Sequence, residues 1–221
     1  MFFSGDFIIC NFAQYETVIM IWNSINYDNF EDVTGITLLE IFELTGMYAA
    51  CDYITDINVA EISGYYPDVV IKVVTNIASI KMRVNVRERI ITNADIKVFE
   101  PGGGIGTLIH VAQVYSANKL GYRMIECYAF GNWYENTTEG WSGYIVWGKL
   151  GYLMGEFDQI LFEAYMEKNG KKATILHELL KTKSGNEFWL KYGFGWYGYF
   201  DLNIESTSFQ ILQRYLKNKP K

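Results

Sequence analysis

Proline is scarce in this chain, and so are the residues that build metal centres and disulfide frameworks. Three prolines in 221 residues leave no linker-like stretch, and the length suits one large domain spanning residues 1–221. The three cysteines, Cys10, Cys51 and Cys127, lie far apart without a CxxC spacing, and there are only two histidines. The usual zinc spacings are therefore excluded, no disulfide framework is supported, and reduced thiols in a cytoplasmic setting are expected, with no bound metal. Long apolar runs are missing as well. No stretch of ~18 uncharged apolar residues occurs, so no membrane-spanning helix and no membrane partner is expected. The first residues, Met1 to Asp6, lack the basic start of a signal peptide. Positive charge is in deficit: 19 Lys and Arg stand against 25 Asp and Glu, a formal charge of −6. That argues against broad nucleic-acid binding and leaves an anionic ligand to a local site.

What is present is apolar and aromatic. Half of the residues are hydrophobic and 17% are aromatic, enough to build a sizeable core and incompatible with a disordered chain. Residues 7–12 and 17–22 read as short strands or buried helical turns, which periodicity does not separate. Thr37 and Glu40 have the spacing of a capping box and predict a helix from there. Residues 69–74 are β-branched and nearly continuous. After a turn at 76–79, Ile80, Met82, Val84 and Val86 alternate with Lys81, Arg83, Asn85 and Arg87, which predicts a hairpin with one apolar and one basic face. A third strand over 90–99 follows.

A helix over 105–120 is expected next, with Leu108, Val111, Ala112 and Tyr115 on one face. His110, Gln113 and Ala117 lie roughly opposite, which makes His110 a surface residue or a local hydrogen-bond partner. Gly121 is expected to end this helix. Residues 122–130 read as a strand with Ile125, Cys127 and Ala129 on one side. A polar loop over 132–142 leads to a short helix ending at Gly151. Phe157, Ile160, Leu161, Ala164 and Tyr165 then form an amphipathic stripe. Helical pieces over 174–181 and 184–192, an aromatic strand over 194–202 and a helix over 207–216 complete the chain. His177, among Leu176, Leu179 and Leu180, is expected to pack. The last two helices carry capping-box spacings at Ser184/Glu187 and Thr207/Gln210.

The segment Glu100-Pro-Gly-Gly-Gly-Ile-Gly-Thr107 joins the 90–99 strand to the 105–120 helix. A glycine-rich turn there exposes backbone N–H groups at a helix N-terminus, an arrangement that suits a phosphate or diphosphate. A P-loop is excluded because no lysine precedes Thr107. A GxGxxG fingerprint is excluded because the third glycine would fall on Thr107 or Ile109.

The stretch resembles the acetyl-CoA loop of GNAT-type N-acetyltransferases, a glycine-containing turn between a strand and a helix. Gly104-Ile-Gly106 matches its glycines, and hairpin, strand, turn, helix, strand and short helix follow in the family's order. Trp147-Gly-Lys-Leu-Gly151-Tyr152 stands where the family carries a Tyr-x-x-x-Gly-Phe-like signature. The resemblance covers a core of about residues 66–152; residues 156–221 are a helical C-terminal extension. It implies an α/β fold with a mixed, mostly antiparallel sheet flanked by helices, and an acetyl-CoA-dependent N-acetyltransferase acting on a small-molecule or lysine-like amine. Val98, Phe99, Gly102, Gly103, Gly104, Ile105, Gly106 and Thr107 would then hold acetyl-CoA, with Lys97, Lys119 or Arg123 supplying charge. Two departures stand out. Pro101 and Gly103 replace positions that are often polar or basic in the family, and Trp147, whose indole is only a donor, replaces the tyrosine proposed as acid. Tyr144 is the substitute acid, and Glu126 and Asp95 are the candidate bases. The alternative is a catalytically inactive GNAT-like fold serving as a structural or interaction component, with a protein partner or a second copy bound.

Overall fold

The structure, a computed structural model, describes residues 35–50, 56–63, 68–100 and 103–218. The expectations for residues 1–30, Cys10, Cys51, Pro101 and Gly102 lie outside the described residues. In chain order the elements are α1 (Leu38–Thr45), a 3-10 turn (Met47–Ala49), β1 (Asp56–Ser63), β2 (Asp68–Val74), β3 (Ala78–Asn85), β4 (Ile90–Val98), α2 (Ile105–Lys119), β5 (Met124–Ala129), α3 (Trp133–Glu139), α4 (Gly143–Lys149), β6 (Leu153–Met154), α5 (Glu156–Lys168), α6 (Leu176–Leu180), α7 (Lys183–Tyr192), β7 (Trp196–Asp201) and α8 (Thr207–Asn218). The class is α/β. Among the described residues seven strands form one sheet in the order β1-β2-β3-β4-β5-β7-β6. Every neighbouring pair is antiparallel except β4 with β5. Among the described residues no helix is long and apolar enough to cross a membrane.

Local chemistry explains much of this order. The capping box of α1 forms: Glu40 N–H donates to Thr37 Oγ1 at 3.2 Å, and Thr37 N–H donates to Glu40 Oε2 at 2.7 Å. Gly46 closes the helix in the left-handed region at φ 69°. A Cβ there would collide with the Ile109 carbonyl, so glycine also sets how closely α1 approaches α2. The hairpin has its expected faces. Ile80, Met82 and Val84 are buried, while Lys81 and Arg83 are exposed. The inner face of β3, β4, β5 and β7 receives α1, α2, α4 and α8. His110 of α2 meets Phe200 of β7 and Trp147 of α4, and Phe209 of α8 meets Phe200.

Several expectations are corrected. On α2 the buried face carries Ile109, His110, Gln113 and Ala117, whereas Leu108 and Tyr115 point outward at 44% and 62% exposure. The polar residues turn inward because Gln113 finds a buried partner and His110 a nest of aromatic rings. The "polar loop" at 132–142 contains helix α3, whose N-cap Asn132 accepts from Tyr134 and Glu135 N–H. On α5, Phe157, Ile160 and Leu161 of the apolar stripe are exposed, and Phe162 and Met166 fill the core instead. The cap of α7 is Thr182 rather than Ser184, accepting from Gly185 N–H at 3.0 Å. The cap of α8 is Ser206 rather than Thr207, accepting from Phe209 N–H at 3.3 Å. Strands β1 and β6 were not legible as strands.

Candidate functional site

Strands β4 and β5 run parallel for only four residue pairs, from Ile90↔Met124 to Asn93↔Cys127. Both strands then continue apart. Residues beyond Asn93 keep β3 on one side, and Tyr128 and Ala129 keep β7 on one side. The facing backbone groups of the two strands are thus left open in a fork. A β-bulge sits at the branch point: Lys81 pairs with Asp95 and Met82 with Asn93, so Ala94 is the extra residue. A bulge bends and twists its strand, and here it turns β4 away from β5 where their pairing stops. It also leaves both Ala94 and Asp95 exposed.

The branch point is pinned from inside. Asn93 Nδ2 donates to Gln113 Oε1 at 2.8 Å, and Gln113 Nε2 donates to Asn93 Oδ1 at 3.0 Å and to the Leu44 carbonyl at 3.0 Å. Both amides are buried, so every hydrogen bond they make counts against a desolvation cost. The reciprocal pair ties α1, α2 and β4 together beneath the fork. The sequence reading missed it, although an Asn in an apolar strand and a Gln in a helix are the only signals it offers.

The glycine turn lies at the end of β4. Gly104 is the N-cap of α2 at φ 78°, and no side chain caps the helix. The N–H of Leu108 is the first to bond back, to Gly104 O at 3.0 Å. The N–H groups of the first turn, Ile105, Gly106 and Thr107, therefore remain for a ligand or solvent. A Cβ on Gly103 would meet nothing within 4 Å, and one on Gly106 would touch Val98 Cγ2 at 3.6 Å. Val98 is half-buried and Phe99 is 43% exposed beside the turn. Of the expected basic groups, Lys97 is exposed on β4. Lys119 lies in the last turn of α2 and pairs with Glu43 at 3.4 Å. Arg123 pairs with Glu88 at 3.9 Å. Both are at the wrong end of α2 to reach the glycine turn.

The structure brings Glu126 and Asp95 to the outer face of the sheet, Glu126 in the last part of the paired seam opposite Thr92 and Asp95 just past the branch point on the β4 arm. Glu126 is half-buried and accepts from Thr92 Oγ1 at 3.4 Å. Tyr144 goes elsewhere. Its ring is buried and its hydroxyl donates to the Leu190 carbonyl at 2.7 Å; burial holds its pKa above the ordinary phenol value. Its own carbonyl accepts from both Trp189 Nε1 and Trp196 Nε1, at 2.9 and 3.0 Å. Tyr144 is thus a packing hub between α4, α7 and β7. Trp147 and Tyr152 meet edge to face, with ring centroids 4.9 Å apart, in the core beside His110. His110 is wholly buried, neither ring nitrogen has a hydrogen-bond partner, and burial drives its pKa down to about 3, partly opposed by the Leu150 backbone. The Cys127 thiol is buried and held well above its usual pKa by burial and by neighbouring Glu126, which disfavours the thiolate.

Exposed rings flank the β5 arm. Tyr128 lies 4.6 Å from Tyr197 and 5.8 Å from Phe130, which lies 5.4 Å from Trp141. Comparison of the chain with family models, with characterised proteins and with solved structures gives no match.

Proposed function

We propose that the chain is an acetyl-CoA-dependent N-acetyltransferase of the GNAT type acting on an amine. The fork between β4 and β5, opened at a bulge and followed by an uncapped glycine turn, carries this reading. The open backbone edge of β4 offers hydrogen bonds to an extended amide-bearing arm, as an added strand would take them. The first-turn N–H groups of α2 and the helix dipole favour a diphosphate at the turn. The open space around Gly103 leaves room for it. Donor and acceptor sites fit this ligand through backbone groups alone, which matches the lack of a basic side chain at the turn. Acetyl-CoA, when bound, supplies an activated thioester whose thiol, with an ordinary pKa of about 8.5, departs without a protein acid. Glu126 or Asp95 takes the proton that an amine of pKa about 10.4 must lose before attack.

Titration calorimetry with acetyl-CoA tests this directly. Saturable binding is expected, weakened at least tenfold by Gly103→Asp, a substitution with room for its side chain and with charge of the wrong sign. Glu126→Gln is expected to lower kcat with little change in donor affinity. Absence of binding at millimolar acetyl-CoA would sink the proposal. A second reading, a non-catalytic interaction component of the same fold, is favoured by the exposed stripe Phe157, Ile160 and Leu161. Binding without turnover, together with a concentration-dependent mass in light scattering, would favour it.

A further inference from the structure

A second concavity lies where α4, α6 and α8 meet, with a volume of about 430 Å³. Four basic-type side chains line it: Lys149 from the end of α4, His177 from α6, Lys181 from the cap of α6, and Arg214 from α8. Leu180 and Tyr215 give it an apolar wall, and no carboxylate lines it. Glu178, the nearest acidic residue in sequence, is engaged elsewhere, accepting from the N–H and the hydroxyl of Thr174 at 3.1 and 2.9 Å. Among the described residues Lys149, Lys181 and Arg214 form no ion pair.

A cation at the C-terminal end of a helix needs no ligand, since it offsets the helix dipole, and Lys149 and Lys181 each have that role available. Helix ends do not account for the convergence of all four groups on one cavity in a chain of net charge −6. Nor do they account for His177. Both of its ring nitrogens are buried and no side chain partners them, with the Gly148 backbone beside the ring. Burial first, then Lys181 and Arg214, hold its pKa below the ordinary imidazole value, with the Gly148 backbone and Glu178 opposing. A neutral imidazole carries one N–H, and an anion in the cavity would accept from it and from the surrounding cations.

We infer that this cavity is a binding site for a small organic phosphate ester, the phosphate lying among Lys149, His177, Lys181 and Arg214 and the organic part against Leu180 and Tyr215. The volume exceeds what a bare phosphate fills, and the apolar wall gives the remainder a surface. The site is independent of the fork, because none of its residues belongs to β4, β5 or the glycine turn.

The probes are AMP, adenosine and inorganic phosphate, tested on the full chain by calorimetry and thermal shift. AMP is expected to bind and to raise Tm, with affinity falling as salt rises. Adenosine is expected to bind at least tenfold more weakly, and phosphate alone more weakly than AMP. Lys181→Gln with Arg214→Gln, both at exposed positions, is expected to lower AMP affinity at least tenfold while acetyl-CoA binding is unchanged. No AMP binding at 10 mM, adenosine binding as well as AMP, or equal AMP affinity in the double variant would each overturn the inference. Failure of acetyl-CoA binding would leave it standing, which separates it from the reading of the fork.

Discussion

His110 shows what a single buried side chain can impose on the molecule. It sits between Trp147, Tyr152 and Phe200 with no partner for either nitrogen, so it is tolerated only in its neutral form. Its pKa is about 3 in the fold and about 6.5 in the unfolded chain. The unfolded state therefore binds the extra proton between these values. The stability that His110 contributes is complete above pH of about 6.5 and is lost as pH falls toward 3. From pH 7 to pH 4 the loss is about 3 kcal/mol. Urea denaturation across this range should show that slope in the native chain and a much flatter one in His110→Leu. An unchanged slope in the variant would assign the acid sensitivity to other groups. The sequence pointed the other way for this residue. Its place opposite Leu108 and Val111 suggested water, because an imidazole is ordinarily polar, and nothing local revealed the three rings that would enclose it. The partner of Tyr144 was equally hidden: its hydroxyl donates to the carbonyl of Leu190, 46 residues away, a contact that no local pattern around Trp147 reveals.

At the scale of elements, periodicity located most helices and strands, though not β1, β6 or α3, and did not always say which side turns inward. The β3 alternation was unambiguous, since a period of two leaves only two faces and one of them carries Lys81 and Arg83. On α5 apolar residues surround much of the helix, and the more obvious stripe is the outer one. Phe157 is 73% and Ile160 59% exposed, while Phe162 is fully buried. Phe157→Ser with Ile160→Ser is accordingly expected to stay within about 0.5 kcal/mol of the native chain in chemical denaturation. Phe162→Ala is expected to cost about 3–5 kcal/mol. A large loss from the outer pair would mean that this stripe is covered in solution. Helix ends were legible where a strong box exists, as at Thr37 and Glu40. They shifted where two hydroxyl residues competed: Thr182 over Ser184 and Ser206 over Thr207. The glycine turn was legible as a strand-to-helix junction, and its lack of basic side chains was legible too.

For the whole molecule, the succession of strand, turn, helix and strand could be read along the chain, but the fork could not. It depends on where β4 stops pairing with β5, and on β7 returning from residue 196 to lie between β5 and β6. Those are contacts between distant segments that no local pattern encodes. The sheet is in effect two antiparallel blocks, β1 to β4 and β5-β7-β6, joined by four parallel pairs, with α2 crossing between them. Hydrogen exchange should report this division. Amides of β2 and β3 should be protected together, those of β5 and β7 together, and the residues past Asn93 and Cys127 that face the fork should exchange faster than either block. Uniform slow exchange along the whole of β4 and β5 would contradict it.

The four-pair seam has a consequence for any extended ligand that enters the fork. Lying between β4 and β5, such a ligand would stand in for a strand the chain itself does not provide, and the split sheet would become continuous through a molecule that is not protein. Its arrival would then be felt as a stitching of the two blocks, registered at Val98 and Tyr128 on the arms as much as at the glycines that meet its charge.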